Sequence, residues 1–284
     1  MPATINLDDL LYRARKLPPF PETTVRLAQI VSGKNYDVDT AASCVKDDQA
    51  LTLRLLSAAN SAAYAGEDPV STVYDAVLRL GSSQVLTIAV SKEVRSIFRV
   101  AFPAYRLEEG ELWKHSVATA LAGEIASCYC DLASSPEVFT TALLHDVGKL
   151  VMGHFIDHSV FRAISDLRVS QRLSCIEAET RILGISHASV GAYIAENWNL
   201  PKAIVNGIRY HHEPVLGNTD ICYLVFLANC VAHRILKASA PNPTACELPR
   251  DIAKYLGVSP KRLDKFCEMA TSRFDKFCRL YNAV

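Results

Sequence analysis

The residues of this sequence that could do chemistry are histidines and carboxylates spread over four segments. His145 and Asp146 stand side by side in TALLHDVGKL, at the end of an apolar run that predicts a buried helix. Burying an imidazole beside a carboxylate is costly unless hydrogen bonds or a metal ion satisfy both groups. The doublet is therefore either a structural pair or part of a metal site.

Three further predicted helices carry side chains of the same types. They supply Glu111 and His115, four residues apart on one helix face, the single His187, and the doublet His211 and His212. Neutral imidazole with a few carboxylates suits Zn, Fe, Mn or Ni better than Ca or Mg. Adjacent helical residues point about 100° apart, so each doublet could serve two neighbouring ions, or one ion and a residue that supports its ligand. The pattern predicts a site for one or two divalent transition-metal ions.

Each residue of the set also has an ordinary structural interpretation. Glu111 alone would be a solvated helix residue, His115 alone would donate to a backbone carbonyl, and Asp146 could cap the segment that follows it. Histidines at a helix end, such as His211, are favoured by the helix dipole. Singly these interpretations are the stronger ones, but jointly they require five of the eight histidines to fall at these positions by coincidence. The remaining ones are predicted to be solvated or structural: His154, His158 and His233.

The elements that must position these groups are predicted to be helices throughout. Apolar residues recur at helical spacing, and the boundaries are marked by Gly81, by the capping box that begins at Ser174, and by Gly184. We expect long helices over residues 107–130 and 260–281, and a helix capped by Asp220. No run alternates like a strand pair. The sequence predicts an all-α fold.

Composition excludes several classes of protein. The chain has 284 residues, half of them apolar, which is enough for a large core. Thirty basic and thirty acidic residues give zero net charge without a long basic run, which argues against binding nucleic acid through its phosphates. The start, MPATINLDDL, does not resemble a secretory signal, and the apolar run Ile221–Ala228 is too short to span a bilayer. Nine cysteines without zinc-finger spacing are expected to be reduced, so we expect a cytoplasmic protein without a membrane partner.

Several segments of the sequence resemble the motifs of a known family. LLHDVGKL, over Leu143–Leu150, resembles the motif of the HD superfamily of metal-dependent phosphohydrolases. A longer ordered set resembles the HDOD domain, an HD-related bacterial signalling module: LPPFPETTVRLAQI, KDDQALTLRLLSAANSAAY, VYDAVLRLGSSQV, ELWKHSVATALAGEIA, HASVGAYIAENWNLP and IRYHHEP. The resemblance implies an HDOD-like helical bundle over residues 17–214. An N-terminal helix over 1–16 and a C-terminal helical extension over 215–284, packed on the core, would flank it.

The resemblance also implies a ligand set. In the related HD-GYP phosphodiesterases, which cleave a cyclic dinucleotide, the ligands are a Glu and a His one turn apart, a His-Asp doublet, a lone His, a His-His doublet and a final Asp. The matching positions here are Glu111, His115, His145, Asp146, His187, His211 and His212. This chain departs from the pattern twice. HHEPVLGNTD carries no Gly-Tyr-Pro loop, and Asn229 stands at the place of the final aspartate.

Two functions of different class follow from these observations. The favoured one is a signal-transduction module with a partly retained metal site, acting through a signalling protein partner or a small nucleotide-like ligand. An amide at Asn229 removes a negative charge from the site, and the loop that would contact substrate is missing. The alternative is a metal-dependent phosphohydrolase of nucleotides or cyclic dinucleotides. In that case Asp146 would help to hold the ion that activates water, and Lys149 would steady the phosphate charge.

Overall fold

The structure is a computed structural model that describes residues 7–281. The gaps in that range are 19, 32–36, 62–63, 65, 67, 99–100, 102–104, 106, 131, 133–136, 157 and 237–247. Within the described residues the regular secondary structure is helical, which confirms the predicted all-α fold.

Sixteen helices follow one another along the described chain. They are α1 (Leu7–Arg15), α2 (Glu22–Val31), α3 (Val38–Lys46), α4 (Gln49–Ala59), α5 (Val73–Phe98), α6 (Glu111–Tyr129), α7 (Val138–Leu144), α8 (Gly148–Phe155), α9 (His158–Gln171), α10 (Cys175–Leu183), α11 (His187–Asn197), α12 (Lys202–Arg209), α13 (Pro214–Gly217), α14 (Asp220–Ile235), α15 (Arg250–Tyr255) and α16 (Pro260–Tyr281). None of these helices is both long and apolar enough to cross a membrane.

Capping residues set several of these boundaries as the sequence predicts. The Ser174 hydroxyl accepts the N–H of Glu177 while the Glu177 carboxylate accepts the N–H of Ser174, so the capping box of α10 is complete. Gly184 ends that helix at φ 75°, a left-handed conformation that glycine adopts without strain. Gly81, at φ 76° and ψ 164°, interrupts α5 where the sequence predicts a break.

Two predicted boundaries are wrong. The helix that carries His115 begins at Glu111 rather than at residue 107, because Gly110 takes a left-handed φ of 80° immediately before it. Thr219, and not Asp220, is the N-cap of α14. The Asp220 carboxylate instead accepts a hydrogen bond from the Tyr255 hydroxyl at 2.9 Å, which ties α15 to the start of α14.

The core is centred on α6 and α7. All seven residues of α7 are buried, and α6 packs between α7 and α14. On one side of this centre, α8 and α12 pack against α11. On the other, α16 lies against α6 and α14, where the Arg262 guanidinium donates to the backbone carbonyl of Tyr129 at 2.6 Å. The helices that carry the candidate ligands therefore meet inside the molecule.

Candidate metal centre

Four helical segments bring candidate ligands to one point. The contributing positions are His115 within α6, His145 and Asp146 at the end of α7, His187 at the first position of α11, and His211 and His212 just after α12. The ring centroids of His145 and His211 are 4.8 Å apart, and those of His187 and His212 are 5.1 Å apart. Residues up to 97 positions apart in the sequence thus form one cluster, which we call the His–Asp cluster.

Gly148 explains how two of these segments come so close. A Cβ atom at this position would lie 2.0 Å from the backbone oxygen of His187 and 2.7 Å from the backbone nitrogen of Gly191. The start of α8 therefore packs directly on the start of α11, backbone against backbone. The glycine in HDVGK allows Asp146 to lie next to His187.

Asp146 lies at the centre of the His–Asp cluster. Its Oδ2 atom is 3.2 Å from Nε2 of His145 and 3.6 Å from Nε2 of His115. Its Oδ1 atom is 3.3 Å from Nε2 of His187 and 3.8 Å from Nε2 of His211. Each carboxylate oxygen consequently faces its own pair of imidazole nitrogens.

The other ring nitrogen of three histidines is held by an acceptor. Nδ1 of His145 lies 2.7 Å from the backbone oxygen of Ala142, and Nδ1 of His211 lies 2.7 Å from that of Ile208. Nδ1 of His187 lies 2.7 Å from Oε2 of Glu179. An acceptor at Nδ1 places the proton there and leaves the Nε2 lone pair free. These three lone pairs point into the His–Asp cluster, as in metal sites built from histidine.

Several atoms of the cluster lack the partners that buried polar atoms normally have. Oδ1 of Asp146 and Nε2 of His211 are buried, and no described residue gives them a hydrogen bond. Nε2 of His115 is 3.2 Å from Nε2 of His145, and Nε2 of His187 is 3.1 Å from Nε2 of His212. Two facing lone pairs at such distances repel unless a proton or a cation lies between them. The donor set therefore fits a divalent transition metal.

The ligand atoms fall into two groups that share this centre. In each group, one ligand atom per residue lies within 4.8 Å of the others: His115, His145 and Asp146 in the first, and His187, His211 and His212 in the second. Asp146 connects the two groups, because its Oδ2 lies near His115 and His145 of the first group and its Oδ1 lies near His187 and His211 of the second. The arrangement has room for one ion, or for two ions that share the Asp146 carboxylate.

The electrostatics keep three imidazoles of the cluster neutral. Burial lowers the pKa of His115, His211 and His212 well below the ordinary value, and neighbouring histidines lower it further. The pKa of His187 is raised instead, because the Glu179 carboxylate outweighs the effect of burial. Neutral imidazole is the form that binds a metal.

Asp146 and Lys149 form a buried ion pair beside the cluster. Burial alone would raise the pKa of Asp146, but His145 and Lys149 hold it well below its usual range, so the group is a carboxylate. Nζ of Lys149 is 2.6 Å from Oδ2 of Asp146. Burial would lower the pKa of Lys149, yet the Asp146 charge raises it. Lys149 therefore stays cationic and touches the predicted metal ligand directly.

Glu111 is the candidate ligand that the structure leaves outside both groups. Its side chain is exposed, and its carboxylate accepts the backbone N–H of Glu108 at 2.7 Å. Gly110 starts α6 just before it, so the carboxylate is used at the helix start rather than one turn further along at His115. His158, predicted to be solvated, is likewise exposed.

Glu179 is a residue of the site that sequence reasoning missed. It is fully buried and touches His187 through its carboxylate. Its position in the sequence contained a signal, because Ile176, Glu179 and Leu183 form one stripe of α10 and the two flanking residues are buried. A carboxylate on an apolar stripe indicates a buried partner. Beside it lies Cys175, a free thiol whose pKa is raised by burial and by Glu179, so it is not a reactive nucleophile.

Two polar residues of α14, Asn229 and His233, lie one turn apart, and His233 contacts the cluster. The amide of Asn229, at the place of the expected aspartate, is buried, and its Oδ1 has no partner among the described residues. His233 lies one turn further along α14, and its ring centroid is 4.6 Å from that of His115. Burial lowers the pKa of His233 to about 4, which keeps this ring neutral too.

Comparison with solved structures shows the same fold in several bacterial proteins. An HDOD domain protein of unknown function from Geobacter sulfurreducens is 24% identical with a TM-score of 0.63, over 95% of this chain and 98% of that one. A proposed signal transduction protein from Marinobacter aquaeolei VT8 is 22% identical with a TM-score of 0.70, over 96% and 64%. A proposed phosphohydrolase from Shewanella amazonensis SB2B is 22% identical with a TM-score of 0.63, over 93% of each chain. At these identities the likeness shows the fold alone.

Comparison of sequences gives the family. An uncharacterised protein of Treponema pallidum (strain Nichols) is 22% identical over 202 residues, which is 71% of this chain but only 38% of that relative's length. The family model of the HDOD domain matches residues 17–214, which include every residue of the His–Asp cluster. The chain therefore belongs to the HDOD domain family.

Proposed function

We propose that this chain is a bacterial regulatory module whose His–Asp cluster binds one or two divalent transition-metal ions, Fe, Mn, Zn or Ni. The observation that carries the proposal is the Asp146 carboxylate, each oxygen of which faces a pair of imidazole Nε2 atoms. The ion holds together α6, α7, α11 and α12, four segments that are otherwise joined by packing. Binding of a signalling protein or of a small nucleotide-like ligand then acts on a body whose helices are linked at one centre.

Burial favours this role over catalysis. The side chains of His145, His187 and His211 have no exposed surface, and that of Asp146 is 1% exposed. Lys149, which could bind an anionic substrate, is instead paired with Asp146. A phosphoester would have to displace that pair to reach the cluster. The buried amide of Asn229 also supplies less negative charge than a carboxylate would.

The second candidate is a metal-dependent phosphohydrolase, and Lys149 is the observation in its favour. A bound divalent ion would supply charge stabilisation at a phosphoryl oxygen and activation of water. In this chain Asp146 and the imidazoles would hold the ion, and Lys149 would swing from Asp146 to a phosphoryl oxygen. The name of the Shewanella amazonensis relative, a proposed phosphohydrolase, agrees with this candidate.

A hydrolysis screen separates the two candidates. The purified chain is incubated with nucleotides and cyclic dinucleotides in the presence of Mn²⁺ or Fe²⁺, next to His145→Ala and Asp146→Ala variants. The control is His158→Ala, which removes an exposed imidazole. The module predicts the same background rate for all four proteins. Turnover that both cluster variants abolish and His158→Ala retains would establish the enzyme instead.

A further inference from the structure

We propose that Glu179 is a positioning residue for the metal centre, fixing the tautomer and the orientation of His187 so that its Nε2 lone pair points into the His–Asp cluster. This inference rests on the proposed function, since it assigns a role in the same site. Glu179 lies on α10, which supplies no residue of the His–Asp cluster, and among the described residues it contacts the cluster through His187.

The contact between the two residues is a double one. Oε2 of Glu179 accepts the backbone N–H of His187 at 2.8 Å and lies 2.7 Å from Nδ1 of the same residue. The backbone N–H belongs to the first position of α11, where a helix has no internal partner for it. One oxygen atom therefore fixes both the backbone and the ring of His187, which leaves the side chain little freedom to rotate.

The second oxygen of Glu179 is also engaged. Oε1 accepts the hydroxyl of Tyr105 at 3.3 Å and the thiol of Cys175 at 3.4 Å. These donors hold the carboxylate plane, so Oε2 stays directed at His187. Glu179 thus has hydrogen-bond partners on both oxygens although it is fully buried.

The placement of this carboxylate argues for a purpose beyond packing. Glu179 occupies the buried stripe of α10 between Ile176 and Leu183, where an apolar residue would avoid the cost of burying a charge. Both hydrogen bonds of its Oε2 atom are made with His187. Carboxylates that accept the second ring N–H of a ligating histidine fix its tautomer and raise its basicity toward the metal.

A different interpretation is that Glu179, Cys175 and His187 hold an ion of their own, because one ligand atom of each lies within 4.8 Å of the others. A neutral imidazole has one lone pair, however. The ring of His187 directs Nε2 toward Oδ1 of Asp146 at 3.3 Å and carries its proton on the Nδ1 that faces Glu179. The positioning role agrees with this orientation of the His187 ring, with Nδ1 toward Glu179 and Nε2 toward Asp146.

The test compares three substitutions on the full chain. Glu179→Leu keeps an apolar side chain of similar size and removes the acceptor, while Glu179→Gln keeps an acceptor and removes the charge. Glu177→Gln is the matched control, an exposed position two residues away on the same helix, where glutamine also completes a capping box. Histidine ¹⁵N NMR of the metal-free proteins reports the tautomer of His187. Competition against a chelator reports the affinity for Zn²⁺ and Mn²⁺.

We expect Glu179→Leu to lose the Nδ1–H tautomer of His187 and to weaken metal binding by about 10-fold to 100-fold. Glu179→Gln should keep the tautomer and bind more tightly than the leucine variant, and Glu177→Gln should match the unsubstituted chain. Unchanged tautomer and unchanged affinity in Glu179→Leu would overturn the inference. If Glu179→Leu does not fold, Glu179→Met replaces it, because methionine also removes the carboxylate acceptor and fills a similar volume, and an unchanged tautomer with unchanged affinity in that variant would overturn the inference.

Two other outcomes have distinct meanings. An unsubstituted chain that binds no metal refutes the proposed function, while the NMR measurement still decides whether Glu179 orients His187. A Cys175→Ala variant that loses a stoichiometric ion would show that Cys175, Glu179 and His187 bind metal themselves, which overturns the positioning role.

Discussion

Replacing Gly148 by alanine tests whether the close approach of α8 to α11 holds the His–Asp cluster together. Gly148 is the first residue of α8, and its φ is not in the left-handed region, so alanine suits the backbone itself. The obstacle is external. The new Cβ would lie 2.0 Å from the His187 oxygen and 2.7 Å from the Gly191 nitrogen, and both of these are backbone atoms that cannot rotate away.

The magnitude follows from two opposing contributions. Alanine in place of glycine favours a helix by up to about 1 kcal/mol. Overpacking costs about 1–3 kcal/mol when side chains can adjust, and a backbone contact places Gly148→Ala at the upper end of that range. We expect a net loss of about 2 kcal/mol or more in the free energy of unfolding. For a chain of this size the loss lowers Tm by about 3 °C or more.

Urea unfolding and thermal melts measure this change, with Gly123→Ala as the matched control. A Cβ at Gly123 would meet Cγ1 of Val138 at 3.1 Å and Cβ of Ala142 at 3.3 Å, and the backbone oxygen of Val138 would lie at 3.6 Å, an ordinary van der Waals distance. The control should therefore stay within about 1 kcal/mol of the unsubstituted chain. Because relief of the clash separates Asp146 from His187, Gly148→Ala should also bind metal more weakly. A Gly148→Ala protein as stable as the control would refute this account of the packing.

Two further predictions concern stability. In the metal-free protein the lowered pKa values of His115, His211 and His212 mean that the unfolded chain binds protons near pH 6.5 that the folded chain does not. Stability should therefore fall between pH 6.5 and pH 5 by about 1.4 kcal/mol per pH unit for each such proton, and urea midpoints across this range measure it. The raised pKa of His187 acts mainly above pH 6.5, where it makes stability rise as the pH falls. Ser174→Ala removes the acceptor of a capping box and should cost about 1 kcal/mol in urea unfolding, whereas Ser174→Thr should cost less.

Much of the fold could be predicted because local signals determine local boundaries. Ser174 begins α10 through the hydrogen bonds of its capping box, and Gly184 ends it in a left-handed backbone conformation. Neither signal depends on distant residues. The predicted start of α6 is wrong because apolar spacing continues before Gly110. The left-handed backbone angle of Gly110 makes the helix begin at the next residue. Helical periodicity indicates which face is buried, but it places boundaries less well than capping residues do.

The candidate site likewise has residues that the sequence predicts and one that it does not. Spacing and family resemblance predicted ligands at His115, His145, Asp146 and further histidines, and the structure brings six of the seven candidates together. The resemblance also predicts Glu111 as a ligand, but its carboxylate accepts the backbone N–H of Glu108 at the start of α6. Glu179 was missed because its partner lies on the next helix, and sequence spacing does not show that α10 and α11 meet at His187.

The metal content of the purified chain tests the central claim most directly. After purification with metal supplied at neutral pH, elemental analysis is compared for the unsubstituted chain, Asp146→Ala, His211→Ala and the exposed control His158→Ala. Circular dichroism confirms that each protein is folded. We expect one or two transition-metal ions per chain in the unsubstituted and control proteins, and a substoichiometric amount in the two cluster variants. No metal in the folded unsubstituted chain, or equal metal in all four proteins, would contradict the assignment of the His–Asp cluster.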